Sequence, residues 1–584
     1  MFHQESLRNP QVCASNLHNI QQLRNLPQDS TQRIYCLRGR MSDQEDAGAT
    51  SSPPERVVIG LSFGNSNSSI AFTTKEGKAE VIANEDGDRQ IPSVLSYVQG
   101  EEYHGTQAKS HLVRNGRSTI AYFRDFLGQD FKSIDPTPCH ASAHPIEHES
   151  TVAFSVHESV EEGTNVPVTV SEITTRHLRR LASSASDFLG KSVNAAVITV
   201  PTDFSDKQRD ALIKAAKVAG IDILQVIHEP VAALLAYDAR AEAKVSDKVV
   251  VVADFGGTRS DVAVIASRGG MYTILATAHD YSLGGANLDQ ILIDHFAKEF
   301  MKKYKTDPRE NARSLAKLKL EAEATKKALS LGSSGNFSVE SLADGVDYSS
   351  TINRTRYELL AGKVFSGFAR LVEGAIQKAE LDVLDVDEVI LSGGASHTPK
   401  IARILQSIFP EKTSILAPST SATAINPSEL AARGAAIQAS LIQEFDKEDI
   451  EQSTHPVVTA TPHLAHAIGV LVISSDERNG IFKPLMEAET AVPVRRSAQI
   501  ATPKEGGDVL IRICEGLREI KAHKPEPKPK INGNKSGNAS DGDEEDSDAS
   551  DEEEEEEIRQ VVWKAGRVLA EAAIRGVKKG GKVE

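Results

Sequence analysis

The chain has 584 residues, of which 40% are hydrophobic and 25% are charged, and its net charge at pH 7 is −16. This length exceeds what one hydrophobic core supports, so two or more domains are expected. No apolar run approaches the roughly 20 residues that a bilayer span requires, which excludes a membrane protein, and the four widely spaced cysteines exclude a zinc motif or disulfide framework and fit a reducing compartment.

Residues 1–55 show little hydrophobic periodicity and lack the apolar core of a signal peptide, so we predict a disordered extension. We interpret Met41, which begins the polar stretch MSDQEDAGATSSPPE, as the true start, with the preceding residues an extension of the gene model. The alternative is a mitochondrial presequence, which five arginines favour and which Glu5 and Asp29 oppose.

Residues 56–444 alternate between short apolar runs and helical stretches. Such alternation predicts an α/β domain. The runs are VVIGL at 57–61, AAVITV at 195–200, VVVVADF at 249–255 and VDEVILSGG at 386–394.

Three of these runs lead into glycine-containing turns, at residues 57–66, 249–262 and 389–397. Glycine permits positive φ and lets backbone N–H groups approach phosphate oxygens without a Cβ in the way. A single turn of this kind is more often a plain tight turn. The first two, however, repeat one pattern about 190 residues apart, which indicates two similar lobes that clamp one nucleotide.

The rest of the chain changes character several times. Residues 445–456 are predicted to be a polar linker, and 457–522 a small β-domain. Residues 523–557 are predicted to be disordered, and Asp541–Glu557 alone holds 13 acidic residues and no basic one, so the remainder of the chain carries only −3. For the basic segment 558–584, a helix and a β-strand completing the β-domain both remain open, and we favour the strand.

Ordered motifs from about residue 56 to residue 520 resemble the DnaK-type heat-shock-70 family. They are VVVVADFGGTRSDV at 249–262, ITVPTDFSDKQRDALIKAAKVAGIDILQVIHEPVAALLAYD at 198–238, LGGANLD at 283–289, EATKKALS at 323–330, GGASHTPKI at 393–401 and INPSELAARGAAIQA at 425–439. The resemblance implies an actin-like ATPase fold of two α/β lobes around ATP and Mg²⁺, followed here by a short β-sandwich-like domain and a disordered acidic segment. The segments at 198–238 and 323–330 argue against a sugar kinase of the same superfold.

The resemblance also assigns roles to single residues. Glu229 matches the carboxylate beside the attacking water, and Asp254 matches the carboxylate that holds the metal through water. The nucleotide-binding matches are Gly64, Asn65, Ser66, Arg124, Gly256, Gly257, Thr258, Arg259, Gly285, Glu323, Lys326, Lys327, Ser330, Gly393, Gly394 and His397. The residues at 323, 326, 327 and 330 have the spacing of one helix face, which without the family match would be interpreted as a solvated charged surface.

Four positions depart from the family pattern. Ser62 replaces an acidic residue that orders the metal's water shell, and Arg124 replaces a lysine near the γ-phosphate. In the second loop, Thr258 replaces a glycine and Arg259 replaces a threonine. Because phosphoryl transfer depends on positioning and electrostatics, we expect ATP binding with weak or absent ATPase activity; the alternative is that these are tolerated changes in a working ATPase.

The C-terminal part departs from the family as well. The Leu-rich interdomain linker becomes FDKEDIEQS, only about 65 residues of β-domain follow, and no helical lid pattern appears. These departures resemble the atypical heat-shock-70 branch of the fungal ribosome-associated complex. That resemblance implies a cytoplasmic, ribosome-associated co-chaperone whose partners are a zuotin-like J-domain protein, the ribosome, an ordinary heat-shock-70 chaperone and nascent polypeptide. Nucleic acid is expected at most as rRNA, through the basic ending; the alternative function is an active ATP-hydrolysing foldase that binds unfolded clients itself.

Overall fold

The computed structural model describes residues 12–13, 56–139, 141–156, 166–240, 246–454, 464, 466–474, 477–488, 490, 492, 494–501, 507–523, 558–578 and 582–583. The chain divides into two units, Met1–Thr461 and Pro462–Glu584. Apart from Val12–Cys13, the predicted N-terminal extension, with Met41, lies outside the described residues. The predicted acidic segment 523–557 also lies outside them, apart from His523.

The first unit contains the strands and helices that form the predicted α/β domain. Its strands in chain order are β1 (Val12–Cys13), β2 (Val58–Phe63), β3 (Asn67–Thr73), β4 (Ala79–Ile82), β5 (Ile91–Pro92), β6 (Val94–Val98), β7 (Glu101–His104), β8 (Thr119–Ala121), β9 (Pro145–His148), β10 (Thr151–Val156), β11 (Val166–Thr169), β12 (Ala195–Val200), β13 (Asp222–His228), β14 (Lys248–Phe255), β15 (Ser260–Arg268), β16 (Met271–Asp280), β17 (Ser334–Ala343), β18 (Val346–Asn353), β19 (Glu388–Ser392) and β20 (Ser414–Leu416). Its helices are α1 (Gly105–Ser110), α2 (Leu112–Asn115), α3 (Val170–Leu189), α4 (Asp206–Val218), α5 (Glu229–Asp238), α6 (Gly285–Tyr304), α7 (Ala312–Leu331), α8 (Arg354–Leu360), α9 (Gly362–Lys378), α10 (Pro399–Ile408), α11 (Leu430–Ile442) and α12 (Lys447–Thr454).

Two sheets of the first unit repeat one topology. The first has the strand order β13-β12-β2-β3-β4, and the second has the order β20-β19-β14-β15-β16, with β1 beyond β16. In each, an antiparallel meander (β2–β4 or β14–β16) is extended by two parallel strands beside its first strand (β12 and β13, or β19 and β20). The predicted two-lobed, actin-like α/β fold is therefore confirmed; we call the sheet that contains β2 and the elements around it lobe I, and the part built on β14 lobe II.

Helices α5 and α11 follow the last parallel strand of each sheet and pack against each other. A Cβ on Gly434 of α11 would lie 1.9 Å from the carbonyl oxygen of Ala232 in α5, and a Cβ on Gly60 of β2 would lie 2.1 Å from the backbone N of Ala436. Glycine at these two positions therefore permits the close approach of backbone to backbone. The buried residues of the two helices share one hydrophobic cluster with residues of both sheets, which joins the lobes at their base.

The second unit contains β21 (Ala467–Ser474), β22 (Glu477–Met486), β23 (Ile500–Ala501), β24 (Gly507–His523), β25 (Ile558–Val577) and β26 (Lys582–Val583). Four of these strands form an antiparallel sheet in the order β22-β21-β24-β25, and β23 pairs with β26. Phe482 is buried, and the centroid of its ring lies 6.0 Å from that of Trp563. The absence of side chains at Gly469 and Gly516 leaves room for the Phe482 ring.

The basic C-terminal segment and the predicted linker both contain regular secondary structure. The basic C-terminal segment forms a strand, β25, along most of its length, and the segment predicted to be a linker contains helix α12. Beyond Thr454, the described residues form strands and loops without a helix. Across the part of the chain that the structure describes, no helix combines the length and apolar character required to cross a membrane.

Candidate functional site

A cavity of about 730 Å³ lies between the two lobes. Its volume is within the range of roughly 300–1,000 Å³ that is usual for small-molecule sites. The structure brings together around it every position that the sequence analysis singled out: Ser62, Gly64, Asn65, Ser66, Arg124, Glu229, Asp254, Gly256, Gly257, Thr258, Arg259, Gly285, Glu323, Lys326, Lys327, Ser330, Gly393, Gly394 and His397.

The first glycine loop connects β2 to β3, and a buried network of hydrogen bonds fixes its position. The Ser93 hydroxyl donates to the carbonyl oxygen of Gly64 (2.7 Å), and its Oγ lies 2.9 Å from that of Ser68. The Ser68 hydroxyl in turn lies 2.9 Å from Nε2 of His177, a residue that the sequence analysis did not identify. Burial lowers the pKa of His177 to about 3, so this imidazole is neutral and the loop rests on an uncharged network.

The second glycine loop connects β14 to β15 and meets the first loop directly. A Cβ on Gly257 would lie 2.2 Å from the hydroxyl oxygen of Ser66, so the two loops approach too closely for a side chain there. The side-chain amide of Asn65 donates to the hydroxyl of Thr258 at 3.0 Å, which joins lobe I to lobe II across the cavity. The amide oxygen of Asn65 is buried without a hydrogen-bond partner among the described residues, so a ligand donor could still be accepted there.

Three carboxylates line the cavity beside the loops: Glu229 is buried, and Asp254 and Asp261 are half-buried. Asp254 and Asp261 face each other across the β14–β15 pair, and the Ser392 hydroxyl donates to Asp254 at 2.9 Å. Burial, reinforced by Asp261, raises the pKa of Asp254, and burial likewise raises the pKa of Glu229. Nη1 of Arg124 lies 3.2 Å from Oε1 of Glu229, so this carboxylate is paired with a cation of the same lobe.

These carboxylates are suitable donors for a divalent cation. Mg²⁺ prefers oxygen ligands and usually retains several waters, so it needs only one or two carboxylates from a protein. Glu229, Asp254 and Asp261 also line a smaller space of about 10 Å³, close to the minimum for one water molecule. Asp254 and its neighbour Asp261 therefore fit a hydrated Mg²⁺, which would relieve the repulsion between these two half-buried carboxylates.

Arg259 lines the cavity, but its guanidinium is engaged elsewhere. Nε lies 2.8 Å from Oδ2 of Asp261, and Nη2 lies 2.8 Å from Oδ1 of Asp203. The guanidinium carbon also lies 4.6 Å above the ring of Tyr281. Arg259 was predicted to be a nucleotide-binding residue. Asp203 and Tyr281 were not predicted, because no local pattern connects residues so far apart in the chain.

One face of α7 also lines the cavity, as its helical spacing predicted. Lys326 donates to the carbonyl oxygen of Gly285 (3.0 Å) and pairs with Asp289 (2.8 Å). Glu323 pairs with Lys327 on its own helix and, across the cavity, with Lys109 of lobe I at 2.7 Å. Although burial opposes it, the lysines lower the pKa of Glu323 to about 2, so it is ionised at neutral pH.

The third glycine loop begins at Gly393, whose φ is +82°. A Cβ there would lie 2.4 Å from the carbonyl oxygen of Phe255, so only glycine fits. Gly394 is different, because a Cβ there would have only the Ser428 hydroxyl as a neighbour, at 3.9 Å. Nε2 of His397 lies 3.0 Å from this same hydroxyl, which fixes the imidazole at the cavity wall.

Comparison with known proteins identifies the family. A model of the Hsp70 protein family matches residues 58–527. The chain is 48% identical over 470 residues to the ribosome-associated complex subunit SSZ1 of Saccharomyces cerevisiae, covering 80% of this chain and 86% of the relative. It is 47% identical over 478 residues to a heat shock protein 70 homolog of Schizosaccharomyces pombe (81% and 83%), and 32% identical over 463 residues to heat shock 70 kDa protein 14-B of Xenopus laevis (79% and 87%).

Proposed function

The chain belongs to the Hsp70 family, and on that basis we propose that it is an ATP-binding co-chaperone that holds nucleotide with little or no hydrolysis. We further propose that it pairs with a zuotin-like J-domain protein at the ribosome. There it would assist nascent chains by stimulating an ordinary Hsp70 chaperone. The observation that supports the proposal best is the cavity itself, which is lined both by the residues matched to the family's nucleotide-binding positions and by the four that depart from the family pattern.

Nucleotide binding is supported by the distribution of groups around the cavity. The two adjoining glycine loops offer backbone N–H groups, and Arg124 offers a buried cation, both suited to phosphate oxygens. Lys326 and Lys327 lie on the helix face that lines the cavity, where the family pattern expects adenosine. Asp254 would hold Mg²⁺ through water, and the bound metal would supply positive charge to the phosphates.

Weak hydrolysis is supported by three of the four departures. Ser62 lies beside the first loop and lacks the charge that orders water around the metal. Thr258 adds a side chain at a loop position where the family has glycine, and that side chain bonds to Asn65. Arg259 places a bulky cation at this position, and its guanidinium forms ion pairs with Asp203 and Asp261. Removal of one well-placed stabilising group commonly costs about 10²–10³ in rate, so their combined effect should leave very little turnover.

The partner proposal is supported by the C-terminal unit and by one relative's name. Between β21 and β25 the described residues form a small antiparallel sheet, and none of the described residues beyond Thr454 forms a helix that could enclose a peptide. Affinity for an extended peptide comes from backbone pairing and side-chain pockets, and an unenclosed peptide should dissociate quickly. The relative in Saccharomyces cerevisiae is called a ribosome-associated complex subunit, which supports an action of this chain on ribosomes, and we propose that this takes place in the cytoplasm.

The test is purification from the native host followed by size exclusion with mass analysis. The proposal predicts a J-domain protein in equal amount that remains bound at moderate salt, and ribosome association that is lost when that partner is depleted. A parallel titration with hydrophobic peptides should show weak binding that does not respond to ATP. If the chain elutes alone and binds such peptides with ATP-sensitive affinity, it is a foldase and the co-chaperone proposal is wrong.

A further inference from the structure

A cluster of charged and aromatic side chains joins the two lobes at the end of the second glycine loop. Asp203 lies in lobe I, in the loop between β12 and α4, whereas Arg259 and Tyr281 lie in lobe II, side by side at the open end of the β15–β16 hairpin. Neither Asp203 nor Tyr281 lines the nucleotide cavity; of the three residues only Arg259 does. The cluster therefore lies beside the cavity and spans the boundary along which the lobes would separate.

The contacts within the cluster are close and mutually supporting. Nη2 of Arg259 lies 2.8 Å from Oδ1 of Asp203, and the Tyr281 hydroxyl donates to the other oxygen of the same carboxylate. The ring of Tyr281 also covers the guanidinium, with 4.6 Å between its centroid and the guanidinium carbon. Lobe II therefore contacts one carboxylate of lobe I through both an ion pair and a hydroxyl.

Arg259 is buried, with 7% of its surface exposed, so its pairing matters more than that of a surface arginine. On the lobe II side, Asp261 accepts from Nε at 2.8 Å, and Nδ1 of His279 lies 2.7 Å from the same carboxylate. Separation of the lobes would leave Asp261 with the guanidinium but would strip Asp203 of both its partners. Separation is unfavourable because the Asp203 carboxylate loses its counter-charge before it is fully hydrated.

We propose that Arg259, Asp203 and Tyr281 form an interlobe clasp that slows release of the nucleotide, and that Arg259 tethers the lobes and is not a phosphate ligand. The inference rests on the proposed nucleotide-binding function and adds a regulatory element to it. Because the cavity lies between the lobes, a bound nucleotide leaves when they separate, and the clasp must open for that to happen. A chain that holds ATP without consuming it gains long occupancy from such a contact.

The experiment measures the release rate of methylanthraniloyl-ATP, prebound with Mg²⁺ to the full chain and chased with excess unlabelled ATP. Arg259→Ala and Asp203→Asn should each increase the release rate at least tenfold. The double variant should be no faster than the faster single variant, because both changes open the same contact. Arg403→Ala provides the matched control, since Arg403 pairs with Glu358 within lobe II and should leave the rate unchanged.

Asp203→Asn separates the clasp from its main alternative. If Arg259 were a phosphate ligand, loss of the Asp203 charge would free the guanidinium and slow release, whereas the clasp predicts faster release. Tyr281→Phe removes only a hydroxyl from a side chain that is 61% exposed, so it should fold normally and give an intermediate increase. Unchanged release in Asp203→Asn and Tyr281→Phe would overturn the clasp alone, and a wild-type chain that binds no nucleotide would overturn both the clasp and the proposed function.

Discussion

The guanidinium Nη1 of Arg124 lies 3.2 Å from Oε1 of Glu229, and both residues are buried in the wall of the cavity. The same Nη1 lies 3.4 Å from the carbonyl oxygen of Phe63, at the end of β2, and Nη2 pairs with Asp125. Arginine is thus fixed between a predicted catalytic carboxylate and the first glycine loop. A compact lysine could contact a phosphate as a point charge, but it could not span these three partners at once.

The first prediction follows from this position. Arg124→Gln should weaken ATP binding by about 10- to 100-fold, because a charged hydrogen-bond donor to a phosphate contributes roughly 1.5–3 kcal/mol. Titration calorimetry measures the change. Arg309→Gln is the control, since Arg309 pairs with Asp307 and Asp294 away from the cavity. Equal affinity for ATP in Arg124→Gln and the wild type would mean that Arg124 stabilises the folded lobe and does not contact the bound ATP.

The second prediction concerns Gly394 in the third loop. A Cβ at this position meets only the Ser428 hydroxyl, so Gly394→Leu should fold and extend its side chain into the cavity. ATP affinity should fall at least tenfold, whereas Gly374→Leu should leave it unchanged, because Gly374 lies on α9 with open space around it. Calorimetry on the two variants decides the matter. Undiminished affinity in Gly394→Leu would show that this loop does not face the nucleotide.

The two-lobed fold was predictable because its strands carry a strong local signal. The Val/Ile-rich runs at 57–61, 195–200, 249–255 and 386–394 correspond to β2, β12, β14 and β19, which are central strands of the two sheets. Strands buried on both faces have apolar side chains in both directions, so they can be recognised without any partner. The spacing of Glu323 and Ser330 likewise predicted a helix face, and both lie on α7.

The partners of Arg259 were not predictable in the same way. Asp203 is separated from Arg259 by 56 residues, and the bond between them depends on how two lobes meet, not on any local periodicity. The support of the first loop by His177 was missed for a similar reason, because a single histidine within an amphipathic helix carries no signal of its own. The roles assigned to the cavity residues remain predictions, although the structure gathers all of these residues around one space.

The third prediction concerns the crossing of α5 and α11. Gly434→Ala would place a methyl group against the carbonyl oxygen of Ala232, and relief of that clash should destabilise the first unit by about 1–3 kcal/mol or more. Gly374→Ala, in the interior of α9 with free space around it, should instead stabilise it by roughly 0.5–1 kcal/mol. Denaturant unfolding followed by circular dichroism compares the two. An unchanged free energy of unfolding in Gly434→Ala would mean that α5 and α11 can move apart without loss of stability.

The fourth prediction is a pH dependence of stability that arises from His177. The pKa of this buried imidazole is lowered to about 3, whereas an unfolded histidine titrates near 6.5. Between these values the unfolded state binds the extra proton, so the free energy of unfolding should fall with decreasing pH by up to ~1.4 kcal/mol per unit. His177→Gln can keep a hydrogen bond to Ser68 without titrating, and it should reduce that slope. Identical slopes in wild type and variant between pH 6 and pH 4 would assign the dependence to other groups.

Retention of ATP without turnover is the central property proposed for this chain, and single-turnover hydrolysis of radiolabelled ATP tests it directly. The purified chain, loaded with Mg²⁺ and a substoichiometric amount of ATP, should convert it at least ~100-fold more slowly than an ordinary Hsp70 assayed in parallel. Ser62→Asp, which restores a carboxylate beside the first loop, should hydrolyse faster than the wild type. ATP that stays bound and intact in the wild-type chain is the predicted result, and hydrolysis at the rate of the ordinary Hsp70 would contradict the account.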